Sequence, residues 1–170
     1  MKAILSLAAA SHALMVMVLL LVCVGLSGCP SRQSVTELED ARQSMLALMQ
    51  SLRDTAVKLD AEGVIALMDS SSEFFVYEDG KAFNYDEFVR EERAGFLAFK
   101  SHELSWDSLH VSVVSPDVCV ALASFHQALI DTSGVEIRLR GEGTYVAVRR
   151  GTKWRFLYLH AWHQLDTASE

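Results

Sequence analysis

The sequence predicts an α+β domain in which a long antiparallel sheet curls around three N-terminal helices. Three observations predict it. Apolar residues recur with helical spacing from Leu38 to Leu59. Four long segments between residues 102 and 165 are closed by the turns Ser115-Pro116, Thr132-Ser133-Gly134 and Gly151-Thr152. Helices that precede a meander, instead of alternating with its strands, segregate to one side of an antiparallel sheet.

The chain opens on a different kind of segment. Lys2 is the only Lys, Arg, Asp or Glu before Arg32, so residues 3–28 form an uncharged run long enough to span a bilayer. An early Lys, a stretch rich in Leu, Val and Met and a small-residue end make a secretory signal. An uncleaved anchor is the alternative. Leu26-Ser27-Gly28-Cys29 resembles the bacterial lipobox, in which the Cys is lipidated and the chain cut before it, and this favours a lipoprotein. The expected division is a signal peptide over 1–28, a tether over 29–35, a folded domain over 36–165 and a tail over 166–170. Acyl chains on Cys29 would hold the protein to a membrane without a spanning helix. Pro30, where Asp would signal retention at the inner membrane, points by the same resemblance to an extracytoplasmic site on the outer membrane of a two-membrane cell.

Composition narrows the partners. The chain carries 15 basic and 22 acidic residues, a net charge of −7, and loss of Lys2 with the signal makes the balance more acidic. That excludes nucleic acid as an expected partner and a basic membrane-binding surface. Of three cysteines only Cys29 and Cys119 survive cleavage. With Cys29 lipidated, an intrachain disulfide is ruled out.

Ser34 with Glu37, or Thr36 with Glu39, can form a capping box opening the first helix. Asp60 caps a short second helix carrying Val64, Ile65, Leu67 and Met68. Residues 73–77 suit a strand, Glu78-Asp79-Gly80 a turn and the stretch through Phe83 a return strand. Asn84 with Glu87 caps a third helix running to about Leu97, which Tyr85, Phe88, Val89, Glu92 and Phe96 fit by their spacing. Strands are expected over 102–114, 117–131, 135–150 and 153–165.

The last strand puts Trp154, Phe156, Tyr158, His160 and Trp162 on one face and Arg155, Leu157, Leu159, Ala161 and His163 on the other, if it runs without interruption. Walking the register across the turns places Tyr158 beside Tyr145, Ala121 and Val111, and Phe156 beside Ala147, Cys119 and Val113. His160 then falls beside Gly143, Ala123 and Leu109, and Trp162 beside Gly141, Phe125 and Asp107. This nearly apolar face is the expected concave one. The other face is mixed, with Trp106, His126, Arg140 and His163 in one row, and a half-apolar outer face on a small domain suggests a homodimer.

From Gly141 onward the chain resembles the end of nuclear transport factor 2-like domains, closest to their SnoaL-like and calcium/calmodulin-dependent kinase association-domain branches. The matching positions are Thr144, Val146, Arg149 to Gly151, Lys153, Trp154, Phe156 and His160. Upstream, Ala66-Leu67-Met68-Asp69, Gly80 and the element order fit as well, so the resemblance spans about residues 35–165. It departs at Trp162, where the family often has Ser. The resemblance implies a cone with an open end, used by some members for acid–base chemistry and by others for binding or oligomerisation alone. It does not by itself license an enzyme.

His160 is therefore the candidate acid or base, with Tyr145 and Tyr158 as orienting groups. Tyr145, Tyr158, His160, Trp162, Asp107 and Phe125 form the expected ligand pocket. The competing expectation is a structural His among packed tyrosines. His160 and His163 cannot share an ion, because a spacing of three on a strand points them to opposite faces. His126 and His163 would bracket Arg140, whose charge repels a cation, so no metal and no other cofactor is expected. Cys119 is expected to be a buried, inert thiol, and Glu91-Glu92 a solvated helix face. The expected function is binding of a small apolar or amphipathic molecule. An isomerase or dehydratase using His160, and a structural envelope module with a filled cone, are the alternatives.

Overall fold

A computed structural model describes residues 34–166. The expected signal segment, the lipidation site Cys29 and most of the tether lie outside the described residues, as does the C-terminal tail from 167. Among the described residues no helix is long and apolar enough to cross a membrane.

The elements run α1 (Val35–Val57), α2 (Ala61–Ile65), β1 (Phe75–Glu78), β2 (Lys81–Phe83), α3 (Tyr85–Leu97), β3 (Phe99–Ser115), β4 (Val118–Asp131), β5 (Glu136–Arg150) and β6 (Lys153–Leu165). Each helix starts on a side chain that satisfies its free N–H groups. Ser34 and Glu37 close a capping box on α1, Asp60 accepts from the Gly63 N–H at α2, and Asn84 and Glu87 close a second box on α3.

One six-stranded sheet is ordered β2-β1-β6-β5-β4-β3. The last four strands form the antiparallel meander, while β1 joins β6 in parallel, pairing Phe75 with Tyr158 and Glu78 with Ala161. The helices cover the concave face. α1 buries Ala41, Met45, Leu48, Met49 and Ala56 against Val111, Cys119, Ala121, Ala147 and Phe156. Cys119 is fully buried, with Sγ 3.5 Å from the Ala41 carbonyl oxygen, and burial raises its thiol pKa. An unreactive core thiol follows.

Two register shifts overturn half of the expected face assignment. On β3, Trp106 pairs with Phe125 and Ser108 with Ser124, leaving Asp107 as an extra residue. On β6, Phe156 pairs with Ala147 and Tyr158 with Val146, leaving Leu157 as the extra residue. Each such bulge bends its strand and reverses the alternation beyond it. Val113, Cys119, Ala147 and Phe156 therefore align as expected. Past the bulges Leu159, Ala161 and His163 turn inward, while Tyr158, His160 and Trp162 turn outward.

The connection between α2 and β1 is fastened to β6 through Asp69. Its N–H donates to the Phe156 carbonyl at 2.8 Å, and its carboxylate accepts from Arg150 Nε at 2.7 Å and from the Ser71 N–H at 2.8 Å. Burial opposes ionisation, but the Arg150 and Ser71 bonds outweigh it and hold the carboxyl below its usual range. A depressed carboxyl stabilises the fold above its unfolded pKa and loses that contribution as pH falls through the folded one. Asp69→Asn should therefore lower the melting temperature at neutral pH. A melting series carried into acid should show the gap to wild type closing; a gap independent of pH would rule out this ion pair as its cause.

Candidate ligand cavity and acidic rim

Between the helices and the inward sheet face lies a cavity of about 580 Å³. Its apolar wall comes from Leu52 and Ala56 of α1, Phe88 and Phe96 of α3, and Leu104, Trp106, Phe125, Leu129 and Leu159 of the sheet. Gly141 and Gly143 make room in this wall for neighbouring rings. A Cβ on Gly143 would lie 2.8 Å from the Tyr145 hydroxyl oxygen, and one on Gly141 would lie 2.6 Å from Phe125 Cζ. The glycines let those two rings lie flat over the strand.

Polar groups gather at one rim. Asp79 and Gly80 sit at φ 48° and 82°, the left-handed pair that a two-residue hairpin turn requires. This turn is tied to β6 by the Asp79 N–H donating to the Ala161 carbonyl at 3.2 Å. The His163 backbone N–H donates to Asp79 Oδ1 at 2.8 Å, and its ring Nδ1 lies 2.9 Å from Oδ2. The carboxylate thus holds the imidazole in one orientation and leaves Nε2 for a bound molecule. The ring also stands edge-on to Phe125, with centroids 5.4 Å apart.

Glu78 lies 3.7 Å from His163 Nδ1. Its side chain keeps 41 % of its surface, but it lines the recess and loses much of the hydration that bulk water gives. This desolvation raises its pKa; His163 opposes the rise and Asp79 adds to it. Glu92, on α3, is pushed up to about 7, first by burial and then by the Glu78 charge. Burial, with a second contribution from Glu78, also raises the Tyr145 phenol, which stays protonated. Tyr145 is 5 % exposed, lines the cavity, and its hydroxyl has no hydrogen-bond partner among the described residues.

Two further groups complete the lining. His102 is buried, with Nδ1 3.1 Å from the Ala56 carbonyl oxygen and Nε2 2.8 Å from the Gln127 side-chain amide, so it braces α1 against the sheet. Trp106 Nε1 is buried without a hydrogen-bond partner among the described residues, and its ring stands edge-on to Phe125 and Tyr145 at 6.0 and 6.1 Å.

Of the expected pocket residues, Tyr145 and Phe125 line the cavity. Tyr158, His160, Trp162 and Asp107 do not; the bulges place them on the outer face. There Phe75 stacks on Tyr158 at 6.1 Å, Tyr77 lies 5.6 Å from His160, and Asp107 Oδ1 is 2.6 Å from His126 Nδ1. Of the expected outer row, His126 and Arg140 stay outside as cross-strand neighbours, whereas Trp106 and His163 enter the cavity. Glu92 is no solvated surface residue. Its place between Phe88 and Phe96, one helical turn from each, was the signal that a carboxylate had entered an apolar stripe. Glu78 and Asp79 carried only a turn signature.

One group among the described residues could bring metal ligands together. Oxygens of Glu78 and Asp79 and a His163 ring nitrogen lie within 4.8 Å of one another. This set is distinct from the histidine pairs weighed on the sequence, and two carboxylates with one imidazole suit a divalent ion held partly by water.

No protein-family model and no curated protein matches the chain. Solved structures do. A nuclear transport factor 2-like superfamily protein from Salmonella enterica aligns at 14 % identity and TM-score 0.66, over 78 % of this chain and 95 % of its own. A scytalone dehydratase candidate from Novosphingobium aromaticivorans aligns at 11 % and 0.70, over 77 % and 89 %. A calcium/calmodulin-dependent protein kinase II association-domain candidate from Xanthomonas campestris aligns at 13 % and 0.62, over 71 % and 85 %. The chain has the nuclear transport factor 2-like fold.

Proposed function

We propose that this chain is an extracytoplasmic lipoprotein, anchored through Cys29, whose cone binds a small and largely apolar molecule and which pairs with a second copy through its outer sheet face. One observation carries the reading: a largely apolar cavity of about 580 Å³ with Glu78, Asp79, Glu92, Tyr145 and His163 among its lining. Pockets of this size and lining suit a small organic ligand held by a few oriented polar contacts. The anchor rests on the uncharged leader and Leu26-Ser27-Gly28-Cys29. The pairing rests on exposed apolar side chains of the outer face, Leu122 at 51 % and Trp162 at 40 %.

Native mass spectrometry of the full chain, extracted from its own membranes, tests all three parts. The expected spectrum is a dimer of acylated chains beginning at Cys29, carrying a small mass that leaves on denaturation. An intact leader would remove the lipid anchor at Cys29, a monomer would remove the pairing, and a chain that neither retains nor takes up any small molecule would remove the binding.

A second reading is favoured by the His163–Asp79 pair. Proton transfer needs a base held in one orientation beside a bound molecule, and His163, not His160, has that setting. Tyr145 and a neutral Glu92 would supply hydrogen-bond donors to an oxygen of the substrate. Once the retained molecule is known, His163→Gln should abolish its turnover while His160→Gln leaves it. Unchanged turnover in His163→Gln would leave the protein a binder.

A further inference from the structure

We propose that the cavity selects an organic cation, an amine whose ammonium group sits among Glu78, Glu92 and the Tyr145 hydroxyl while its apolar body lies against Trp106 and Phe125. The inference rests on the binding reading above and names the ligand's charge. The lining residues include Glu78, Asp79, Glu91 and Glu92, yet no Lys or Arg among the described residues, although the chain has 15 of them. Asp79 is already engaged by His163. Glu92 has no ion-pair partner among the described residues, and Glu78 has only the His163 ring at 3.7 Å.

Carboxylates clustered in a recess repel one another and lose hydration, and an ammonium relieves both costs. The Tyr145 hydroxyl adds an acceptor that has no partner among the described residues, at a residue 5 % exposed. A fatty acid or other anionic amphiphile would set its head against the same carboxylates. A bare divalent ion could use Glu78, Asp79 and His163, but it would leave the apolar cavity unfilled.

The test keeps the apolar body constant and changes only the head. Calorimetric titration of the full chain in nonionic detergent at neutral pH would compare 2-naphthylmethylamine, 2-naphthalenemethanol and 2-naphthoate. The expected order is amine over alcohol by roughly tenfold, with the acid weakest. In the double variant Glu78→Gln with Glu92→Gln, the amine should fall to the affinity of the alcohol, whose own binding shows that the cavity still folds. Equal or tighter binding of the alcohol or acid to wild type overturns the cation assignment and leaves the cavity reading standing. Failure of all three to bind overturns both.

Discussion

Phe156→Ala is expected to destabilise the fold by about 4 kcal/mol, the range for deleting a fully buried ring. Phe156 is 0 % exposed, packs against Tyr145 with centroids 5.9 Å apart, and sits where three parts of the chain meet. Its N–H donates to the Leu67 carbonyl and its carbonyl accepts from the Asp69 N–H, so the link after α2 is bonded to β6 at this residue. Leu157, the extra residue of the bulge, follows immediately. A cavity here would loosen the strand where it reverses its faces. Against a total stability of about 5–15 kcal/mol for a domain of this kind, the loss removes a large fraction. Urea unfolding should show the midpoint falling while the slope is kept; a change under about 1 kcal/mol would mean that Phe156 does not centre the core.

The second large effect concerns Glu92. Its carboxyl is raised from 4.5 to about 7, so the folded state resists an ionisation that the unfolded chain undergoes freely. For an acid with a raised pKa the sign is unfavourable. No cost exists below pH 4.5, it grows between 4.5 and 7, and it is complete above 7. Glu92→Gln removes it. The variant should exceed wild type in stability by up to about 3 kcal/mol at pH 8 and match it near pH 4. Denaturant titrations at the two pH values measure the difference, and a variant no more stable at pH 8 would show that Glu92 is well hydrated. Such a destabilising carboxylate kept at a cavity rim fits a binding role, since sites give up stability for function.

Much of the fold was legible because local chemistry decides it. Ser34 with Glu37, Asp60, and Asn84 with Glu87 cap the helices they were expected to cap. Gly80 and Gly151 mark turns where the backbone takes positive φ. The deep half of the concave face also followed from alternation, since Val113, Cys119, Ala147 and Phe156 align as walked.

The rim was not legible, for a physical reason. On β6 the residues past the bulge offer two plausible inward faces, Tyr158-His160-Trp162 or Leu159-Ala161-His163, and both are apolar enough to bury. Period-two alternation cannot choose between them. The choice is made by sheet curvature, which needs an extra residue somewhere along the strand and leaves no local mark at Leu157. The same holds at Asp107, where the bulge sends Trp106 inward and the carboxylate out to His126. The Asp79–His163 bond joins a turn to a strand 84 residues later, a proximity that only the parallel pairing of β1 with β6 creates. Glu92 was visible in principle, because its spacing from Phe88 and Phe96 set it on the inward stripe.

The central claim is that an accessible cavity is lined by the inward residues beyond the β6 bulge. A neutral fluorescent probe such as Nile red, titrated into the full chain, tests it directly with two variants of adjacent residues. Wild type should bind one probe per chain saturably. Ala161→Phe, which puts a ring into the cavity, should abolish that binding, and His160→Phe, on the outer face, should leave it unchanged. Loss of binding in His160→Phe with retention in Ala161→Phe would contradict the face assignment, and no saturable binding by wild type would contradict the cavity itself.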